Sequence, residues 1–538
     1  MSWDNQRRSK EERLNAAAAL CSGKTVATEN IVKLMEAVIR PGDKVVLEGD
    51  NQKQAAFLAA SLAEVDPKVV HDLTMIIPSI SRSEHLDYFE KGIASTVDFA
   101  FAGTQAQRLA EGKVKIGNFN TYLEIYARLF VDLIPNVCLV AADKADKDGN
   151  LFTGYSTEET PTLVEAAACK SGIVIAQVNE IVEDLPRVDI PGGWVDFIVP
   201  ADKPYPMEPL FTRDPQFIKD ADILMGMMVI KGIYAKHGVQ SLNHGIGFNG
   251  AAIELLLPTY GEQLGLKGKI CRNWVLNPHP TLIPAIEAGW VESICAFGGE
   301  VGMEKYTEER SDIFFTGADG TLRSNRTLAQ VAGLYAIDSF LGATLQMDYY
   351  GNSSTVTAGR LSGFGGAPNM GHNPGGRRHS SPAYHSLVEG KDTLHGGQKI
   401  VIQMLKSSGK KGNNFVPELD AIAIGRDAGM EAPPIMVYGE DVSHTVTEQG
   451  IAYCYMAEDA EERRLMLASI AQGTPFGEMV TKEQIEAFRK AGKVAYPEDL
   501  GIDRSMATKD LLACKNLEEI AECSGGLYVV PEKFRKKD

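Results

Sequence analysis

Asp146-Lys147-Asp148-Gly149-Asn150 recurs in the second half of the chain as Asp348-Tyr349-Tyr350-Gly351-Asn352. The two stretches follow apolar runs at 137–142 and 337–345, and each is followed further on by a strand-like run. Aspartate, glycine and asparagine at these spacings are typical of a turn, and such a turn also recurs by chance. The similar flanks favour a duplicated unit, so the sequence predicts two tandem domains of one fold class.

Short β-branched apolar runs alternate with amphipathic segments along the chain. Runs of four to eight nearly continuous apolar residues suit strands that are buried on both faces of a mostly parallel sheet. Helices are predicted at 54–64 and 160–170, the second opened by Thr160-Pro161. The predicted fold class is α/β, with a mostly parallel sheet covered by helices in each domain. The predicted strands are 44–48, 136–140, 173–178, 196–199, 294–297, 399–404 and 435–438.

The predicted boundary lies in a proline-rich segment, with prolines at 200, 204, 206, 209 and 215. This segment is typical of a linker or an extended crossover. We therefore predict an N-terminal extension at 1–24, a first domain at 25–215 and a second domain at 216–538. The second domain is rich in glycine from 351 to 397, and loops of that length in a compact domain are uncommon unless they bind something.

Composition limits the function classes. The chain has 538 residues, with 54 Lys and Arg against 71 Asp and Glu, a formal net charge of −17. This balance argues against a sequence-independent grip on nucleic acid, which depends on clustered basic residues. No apolar run reaches the length of a membrane span, and 1–13 lacks the apolar core of a signal peptide, so we expect a cytoplasmic protein. The eight cysteines show neither a disulfide framework nor metal-ligand spacing, and no metal site is predicted.

Gly245-Ile246-Gly247-Phe248-Asn249-Gly250 matches the G-x-G-x-x-G pattern. A dinucleotide site would need an acidic residue about 20 positions later, yet 263–286 contains no Asp or Glu. A glycine turn that brings backbone N–H groups to another ligand fits better, with Gly245 and Gly247 as substrate-binding candidates. A tight turn without a ligand is the alternative.

The segment 359–369 reads Gly-Arg-Leu-Ser-Gly-Phe-Gly-Gly-Ala-Pro-Asn. Glycines let the main chain approach a ligand closely, so that N–H groups can converge on an oxygen that becomes negative. We therefore predict that Gly363, Gly365 and Gly366 are catalytic, and that Asn369 binds substrate. A surface loop without a ligand is the alternative.

Three further stretches carry polar groups that could act on a substrate. Arg377 and Arg378 follow two glycines and could fork onto carboxylates or phosphates. Asn277-Pro278-His279-Pro280 holds an imidazole in a segment that cannot be helical, and Asn277 and His279 are catalytic candidates. His444 and Glu448 could meet at one sheet edge for acid/base chemistry. A solvated loop, a structural hydrogen bond and a strand-end turn are the respective alternatives. Neither a P-loop nor a G-x-S-x-G elbow occurs.

Together, Asp348–Asn352, Gly359–Gly366 and Thr447-Glu448-x-Gly450 resemble the CoA-transferase superfamily. The first half is similar to its partner domain through 41–46 and 145–150. From Asp4 onward, the whole chain resembles the malonate decarboxylase α-subunit family. That resemblance implies a transferase that converts acetyl-S-carrier and malonate into malonyl-S-carrier and acetate.

The resemblance also implies partners. The thiol belongs to a dephospho-CoA-derived arm on a small acyl carrier subunit, and this chain itself binds no cofactor. Decarboxylase subunits of the same complex then act on the malonyl thioester. Such a subunit is a cytoplasmic enzyme that handles malonate, and neither nucleic acid nor a membrane is expected among its partners.

One departure from the superfamily concerns mechanism. Many members carry a glutamate that forms covalent intermediates, placed before a helix that ends in Glu-Ala-Gly. That ending is present here as Glu287-Ala288-Gly289, but the glutamate position falls near Leu276 or Asn277. Direct attack of malonate on the acetyl thioester is chemically sufficient, with the negative oxygens stabilised by N–H groups. On this hypothesis Asn277 or His279 replaces the polar contacts of the glutamate, and Arg377 or Arg378 holds the second carboxylate of malonate.

Three rival interpretations remain open. The α subunit of citrate lyase performs the parallel exchange with citrate, and the motifs barely separate the two. A noncatalytic scaffold would hold the carrier and decarboxylase subunits without using the glycine loop. A dehydrogenase is disfavoured by the missing acidic residue.

Overall fold

The computed structural model describes residues 3–50, 53–374, 399–410 and 412–535. It divides into two compact units. Unit 1 comprises Met1–Pro209, Thr316–Thr327 and Ala358–Gly366. Unit 2 comprises Leu210–Phe315, Leu328–Thr357 and Ala367–Asp538. The main boundary thus follows Pro209 instead of the predicted residue 215, and two short segments of the second half belong to unit 1.

Unit 1 is built on a ten-stranded, mostly parallel sheet. Unit 1 has twelve described strands, of which β4 and β5 lie outside this sheet. In chain order they are β1 (Cys21–Ser22), β2 (Thr25–Val26), β3 (Lys44–Leu47), β4 (Gly49–Asp50), β5 (Lys53–Gln54), β6 (Leu73–Ser79), β7 (Ala94–Phe101), β8 (Lys115–Phe119), β9 (Val137–Ala145), β10 (Leu151–Phe152), β11 (Ile173–Ile181) and β12 (Phe197–Pro200). The spatial order is β1-β2-β12-β11-β9-β3-β6-β7-β8, with β10 paired to β9 and a separate β4–β5 hairpin. The central strands are buried on both faces, as their continuous apolar runs predict.

Unit 2 contains a second, eight-stranded sheet. Its strands are β13 (Ser241–His244), β14 (Asn273–Val275), β15 (Ser293–Cys295), β16 (Ser339–Ala343), β19 (Ile400–Met404), β23 (His444–Val446), β24 (Ile451–Ala452) and β25 (Val494–Ala495). The order is β15-β14-β13-β16-β19-β23-β24-β25, and the first six strands run parallel. Smaller sheets are formed by β17 (Gln346–Asp348), β18 (Ser353–Ser354) and β22 (Phe415–Val416), and by β20 (Ser408–Gly409) and β21 (Gly412–Asn413).

Helices flank both sheets. In unit 1 they are Trp3–Ala17, Ile31–Val38, Ala56–Leu62, Asp87–Glu90, Ala106–Ala110, Tyr122–Arg128 and Thr160–Ala168. In unit 2 they are Asp220–Val229, Ala235–His237, Phe248–Leu256, Ile283–Glu287, Glu304–Glu309, Ala367–Met370, Asp420–Asp427, Ala460–Ser469, Lys482–Lys490 and Leu517–Cys523. Helix Arg326–Tyr335 begins in the last residues of a unit 1 segment. In the described part of the chain, every helix is too short or too polar to cross a membrane.

The N-terminal residues are integrated into unit 1. The Arg13 guanidinium, on helix Trp3–Ala17, forms a buried ion pair with Asp43 at 2.5 Å and donates to the Val38 carbonyl at 2.8 Å. Strands β1 and β2 then extend the edge of the sheet. The stretch predicted as an extension therefore contributes a helix and a strand to the first unit.

The repeated D-x-x-G-N motif forms the same turn in both units. Asp146 accepts from the amide and side chain of Asn150 at 2.9 and 2.7 Å, and Asp348 accepts likewise from Asn352 at 2.9 and 2.8 Å. The asparagine side-chain oxygen in turn accepts from a distant glycine amide, Gly192 in unit 1 and Gly439 in unit 2. The α/β prediction is confirmed, but the strand predicted at 435–438 is wrong, since Val437 makes only an isolated bridge with Ser353.

Candidate active site

The strand order of unit 2 reverses between β13 and β16. From β13 the chain passes to β14 and β15 on one side, and then to β16 and β19 on the other. In open α/β sheets, ligands bind at the carboxyl ends of the strands where the order reverses. The segments that follow β13, β14, β15 and β16 are therefore the place to look for a site.

Gly245 and Gly247 lie at this point, as the predicted glycine turn requires. The Gly245 amide donates to the Leu341 carbonyl of β16 at 2.7 Å, so that N–H is already used within the sheet. Gly247 is the N-cap of helix Phe248–Leu256 and provides no side-chain cap. Because the first amides of a helix lack intrahelical acceptors, this helix start can receive a ligand oxygen.

A cavity of about 620 Å³ opens beside the glycine turn. Two lysines, Lys219 and Lys406, contribute to its lining, and Lys406 pairs with Asp222 at 3.1 Å. Asp222 also lines the cavity, so its charged lining consists of two lysines and one aspartate. Its lining also includes Phe217, Phe248, Asn249, Thr344, Met404, Leu405, Ser408, Gly409 and Asn414.

His279 follows β14 and belongs to a buried polar network. Its Nδ1 lies 2.9 Å from Oε1 of Glu254, on helix Phe248–Leu256. The same oxygen lies 3.0 Å from Nδ1 of His244, whose Nε2 lies 2.9 Å from the Tyr234 hydroxyl. Thr281 donates to the other Glu254 oxygen at 2.5 Å. Three side chains, from β13 and from the segment after β14, thus converge on one carboxylate.

The electrostatics of this network favour an ionised Glu254. Burial alone would raise the pKa of this carboxyl, but the two facing imidazoles outweigh burial and hold its pKa below the ordinary value. Burial lowers the pKa of His244, although the Glu254 carboxylate opposes that shift. A buried carboxylate is stable only when hydrogen bonds satisfy it, and Glu254 has three donors.

Asn277, two residues before His279, contacts the segment that carries a second buried carboxyl group. The Asn277 side chain donates to the Gly299 carbonyl at 3.0 Å, and Glu300 follows after β15. Oε1 of Glu300 accepts from the Thr212 hydroxyl at 2.7 Å and from the amides of Thr212 and Phe211 at 2.9 and 3.2 Å. Burial raises the pKa of Glu300 to about 7, against the lowering effect of these donors.

The aromatic ring of Phe211 stacks on the imidazole of His279, with 5.5 Å between centroids and 22° between planes. The Phe211 amide also donates to Glu300. Asn277 and His279, both predicted from sequence, therefore lie in one region with Glu254 and Glu300, which were not predicted. A charged residue inside the apolar helical run 251–257 was the available signal for Glu254.

The glycine loop lies in unit 1, not in the second domain as predicted. Gly363 pairs with Phe101 in an isolated antiparallel bridge. The amides of Phe364 and Gly365 both donate to the Ala100 carbonyl, at 2.7 and 2.9 Å. The N–H of Gly365 is thus already used, and this geometry does not support the oxyanion role predicted for it. Gly366 ends the segment.

The other predicted residues lie elsewhere. Asn369 sits half-buried in the short helix Ala367–Met370 of unit 2, while Arg377 and Arg378 fall outside the described residues. His444 is buried against His237 and Ser443, and Glu448 accepts from Ser407, so these two residues have separate partners and form no acid/base pair. Over the described ranges, His, Cys, Asp and Glu form no group of three that could hold a metal ion.

The comparisons with known proteins agree with one another. The family model described as "Malonate decarboxylase, alpha subunit, transporter" matches residues 2–537. The acetyl-S-ACP:malonate ACP transferase of Malonomonas rubra is 51% identical over 99% of this chain and 98% of its own length. A Pseudomonas malonate decarboxylase hetero-tetramer, solved with malonate, contains a chain that is 57% identical, with a TM-score of 0.97 and 99% of each chain covered.

A more distant structure bears on the fold alone. An acyl-CoA transferase from Escherichia coli is 13% identical, with a TM-score of 0.52 over 80% of this chain and 88% of its own. The two units therefore share the architecture of CoA transferases, as predicted. On the near full-length match to the family model, the chain belongs to the malonate decarboxylase alpha-subunit family.

Proposed function

We propose that this chain exchanges acetyl for malonyl on a carrier thioester, so that acetyl-S-carrier and malonate give malonyl-S-carrier and acetate. The observation that carries the proposal is the 51% identity, over nearly the whole chain, to a protein named as that transferase. We propose further that the chain works in a complex with an acyl carrier subunit and decarboxylase subunits. The thiol arm, derived from dephospho-CoA, belongs to the carrier.

The exchange needs no net proton transfer. A malonate carboxylate oxygen attacks the acetyl carbonyl, the C–S bond breaks, and the thiolate leaves a mixed anhydride. The thiolate then attacks the malonyl carbonyl, and the C–O bond to the acetyl side breaks to release acetate. Each attack builds a negative oxygen, so fixed donors and positive charge are what the protein must supply.

We place this chemistry at the carboxyl edge of the unit 2 sheet. His279 and Asn277 follow β14, and the start of helix Phe248–Leu256 follows the turn of Gly245 and Gly247. Lys219 and Lys406 line the cavity at the start of this helix, where Lys406 pairs with Asp222, and we propose that Lys219 receives a phosphate oxygen of the arm. From the sequence, Arg377 or Arg378 remains our candidate for holding the second malonate carboxylate, and Asn369 remains a candidate for substrate binding. Gly363 and Gly366, which belong to unit 1, remain separate candidates for N–H donation.

The experiment incubates the purified chain with acetyl-carrier and ¹³C-labelled malonate, and in a parallel reaction with ¹³C-labelled citrate. Mass spectrometry of the thioester and of the protein follows. We expect labelled malonyl-carrier and an unmodified protein. Incorporation of citrate instead of malonate would show that the chain exchanges citrate. Exchange with neither acid would favour a noncatalytic scaffold. A thioester adduct on a glutamate would overturn direct transfer while keeping the exchange.

We further propose a cytoplasmic location for this chain. Fractionation of cells that express the tagged chain tests it, with a cytoplasmic and a membrane marker in the same preparation. Recovery with the membrane marker, after high-salt washing, would overturn it.

A further inference from the structure

Two histidines share one carboxylate oxygen, but they use their second ring nitrogens differently. Nδ1 of His244 and Nδ1 of His279 both face Oε1 of Glu254. His244 also contacts the Tyr234 hydroxyl through Nε2, so both of its nitrogens are satisfied. Within the described residues, Nε2 of His279 makes no hydrogen bond. His279 is thus the histidine that can still offer a nitrogen to a ligand.

The carboxylate that holds His279 is itself immobile. Glu254 is fully buried, and Oε1, the oxygen that faces His279, also lies 3.0 Å from Nδ1 of His244. Stacking on Phe211 constrains the plane of the imidazole as well. A hydrogen bond and a ring contact therefore determine the orientation of His279 together, while its side chain remains 7% exposed.

We infer that Glu254 is the positioning residue of His279: by accepting the Nδ1–H it makes Nε2 the atom that His279 presents to the substrate. The inference rests on the proposed exchange and adds a residue to its site. A carboxylate on one ring nitrogen sets the tautomer of a histidine and compensates the charge of its protonated form. Nε2 then accepts from a thiol or, when protonated, donates to a carboxylate or an oxyanion of the exchange.

A purely structural role for Glu254 predicts different behaviour. In that case the carboxylate only ties helix Phe248–Leu256 to the segments after β13 and β14. Losing any of its hydrogen bonds would then affect stability, with no particular effect on the state of His279. Thr281→Val provides the matched control, because it removes one hydrogen bond from the same carboxylate and leaves the contact with His279 intact.

The first measurement reads the tautomer directly. Chain labelled with ¹⁵N at histidine, without substrate, is studied by multiple-bond NMR, and His279→Gln assigns the signal. We expect a proton on Nδ1 of His279 in the wild-type chain and in Thr281→Val, and loss of this preference in Glu254→Leu. A wild-type His279 that carries its proton on Nε2 and none on Nδ1 would overturn the inference.

The second measurement is the exchange rate. Glu254→Gln keeps an acceptor but removes the charge, and we expect kcat and kcat/KM to fall together by roughly 10- to 100-fold. The exchange rate of Thr281→Val should stay within about threefold of the wild-type rate, because this variant keeps the contact between Glu254 and His279 and loses only stability. Equal losses in both variants would make Glu254 structural. If Glu254→Leu fails to fold, the comparison of Glu254→Gln with Thr281→Val tests the inference instead.

The two proposals fail in different ways. A wild-type chain that exchanges neither malonate nor citrate overturns the proposed function. The tautomer is measured without substrate, so it still tests the contact of Glu254 with His279. A chain that exchanges malonate but has the other tautomer overturns only the positioning role.

Discussion

Thr212 donates twice to a single carboxylate oxygen of Glu300, from its hydroxyl at 2.7 Å and from its amide at 2.9 Å. These bonds favour the ionised carboxylate, yet burial is stronger and raises the pKa of Glu300 to about 7. The folded chain therefore holds a proton on this group at pH values where the unfolded chain has released it. Glu300 is thus expected to titrate near neutral pH.

This titration predicts a pH-dependent effect of Glu300→Gln. Because the pKa is raised in the folded state, the stability that Glu300 contributes is fully present below about pH 4.5 and is lost as pH rises through about 7. The amide variant does not titrate, so relative to wild type it should gain up to about 3 kcal/mol across that window. Urea unfolding at pH 5, 6, 7 and 8 measures the difference. The same series for Glu308→Gln, at an exposed glutamate, is the control.

A histidine pair predicts the opposite trend in acid. Nε2 of His237 lies 3.2 Å from Nε2 of His444, whose Nδ1 faces Ser443, and the rings of Tyr453 and Tyr455 surround His444. Burial, reinforced by Lys236, lowers the pKa of His237 to about 3. Burial, with His237 and Lys236, also lowers the pKa of His444.

The stability that this pair contributes is therefore present above about pH 6.5 and is lost as pH falls below it. His237→Gln keeps a hydrogen-bonding side chain but does not titrate, so its free energy of unfolding should fall less steeply than that of wild type between pH 6.5 and 4. Chemical unfolding over this range measures both slopes. Parallel slopes for the two proteins would show that His237 does not cause the loss of stability in acid.

The buried ion pair of unit 1 predicts a large effect of Lys53→Met. Lys53 Nζ lies 3.5 Å from Oε1 of Glu48, and both side chains are at most 1% exposed. Removing the lysine leaves a buried carboxylate without its cation, which should cost about 3–5 kcal/mol in urea unfolding. Lys91→Met breaks the exposed pair with Glu64 and should cost about 1 kcal/mol or less. Similar losses would mean that Glu48 is solvated or protonated without Lys53.

The glycine loop predicts a difference between two alanine substitutions. Gly363 has φ +66°, and a Cβ there would overlap the Ala100 carbonyl, whereas Gly359 has φ +75° with nothing within 4 Å. Gly359→Ala should therefore cost only the backbone strain, about 1–2 kcal/mol. Gly363→Ala should cost more than that and disrupt the pairing with Phe101. Thermal unfolding of both variants measures the difference, and equal losses would contradict the packing seen here.

Local patterns in the sequence predicted much of the fold. The apolar runs at 44–48 and 173–178 became β3 and β11, because continuous apolar residues need burial on both faces of a sheet. The repeated turn is likewise fixed by its own aspartate and asparagine. The prediction of a strand at 435–438 was wrong because Val437 pairs with Ser353 in an isolated bridge, and the residues beside Val437 do not extend the pairing.

The candidate site was predicted only where the signal was local. His279 stood out because two prolines flank it at a strand end, and Asn277 because the superfamily places a glutamate nearby. Glu254 and Glu300 went unnoticed because their significance depends on contacts with His244, His279 and Thr212, which are distant in sequence. The same reason hid the assignment of 358–366 to unit 1.

The segment 358–366 has a consequence for how the chain matures during synthesis. Phe101 and Ala100 lie near the start of the chain, but their backbone partners Gly363 and Gly365 are translated only after 362 residues have been added. Domains generally fold as they emerge from the ribosome, N-terminal first. The carboxyl end of β7 must therefore wait for the hydrogen bonds from Phe364 and Gly365 to the Ala100 carbonyl until nearly half of unit 2 has also been made. Ribosome-bound chains that stop between 215 and 357 should be more sensitive to protease in unit 1 than chains extended past 366.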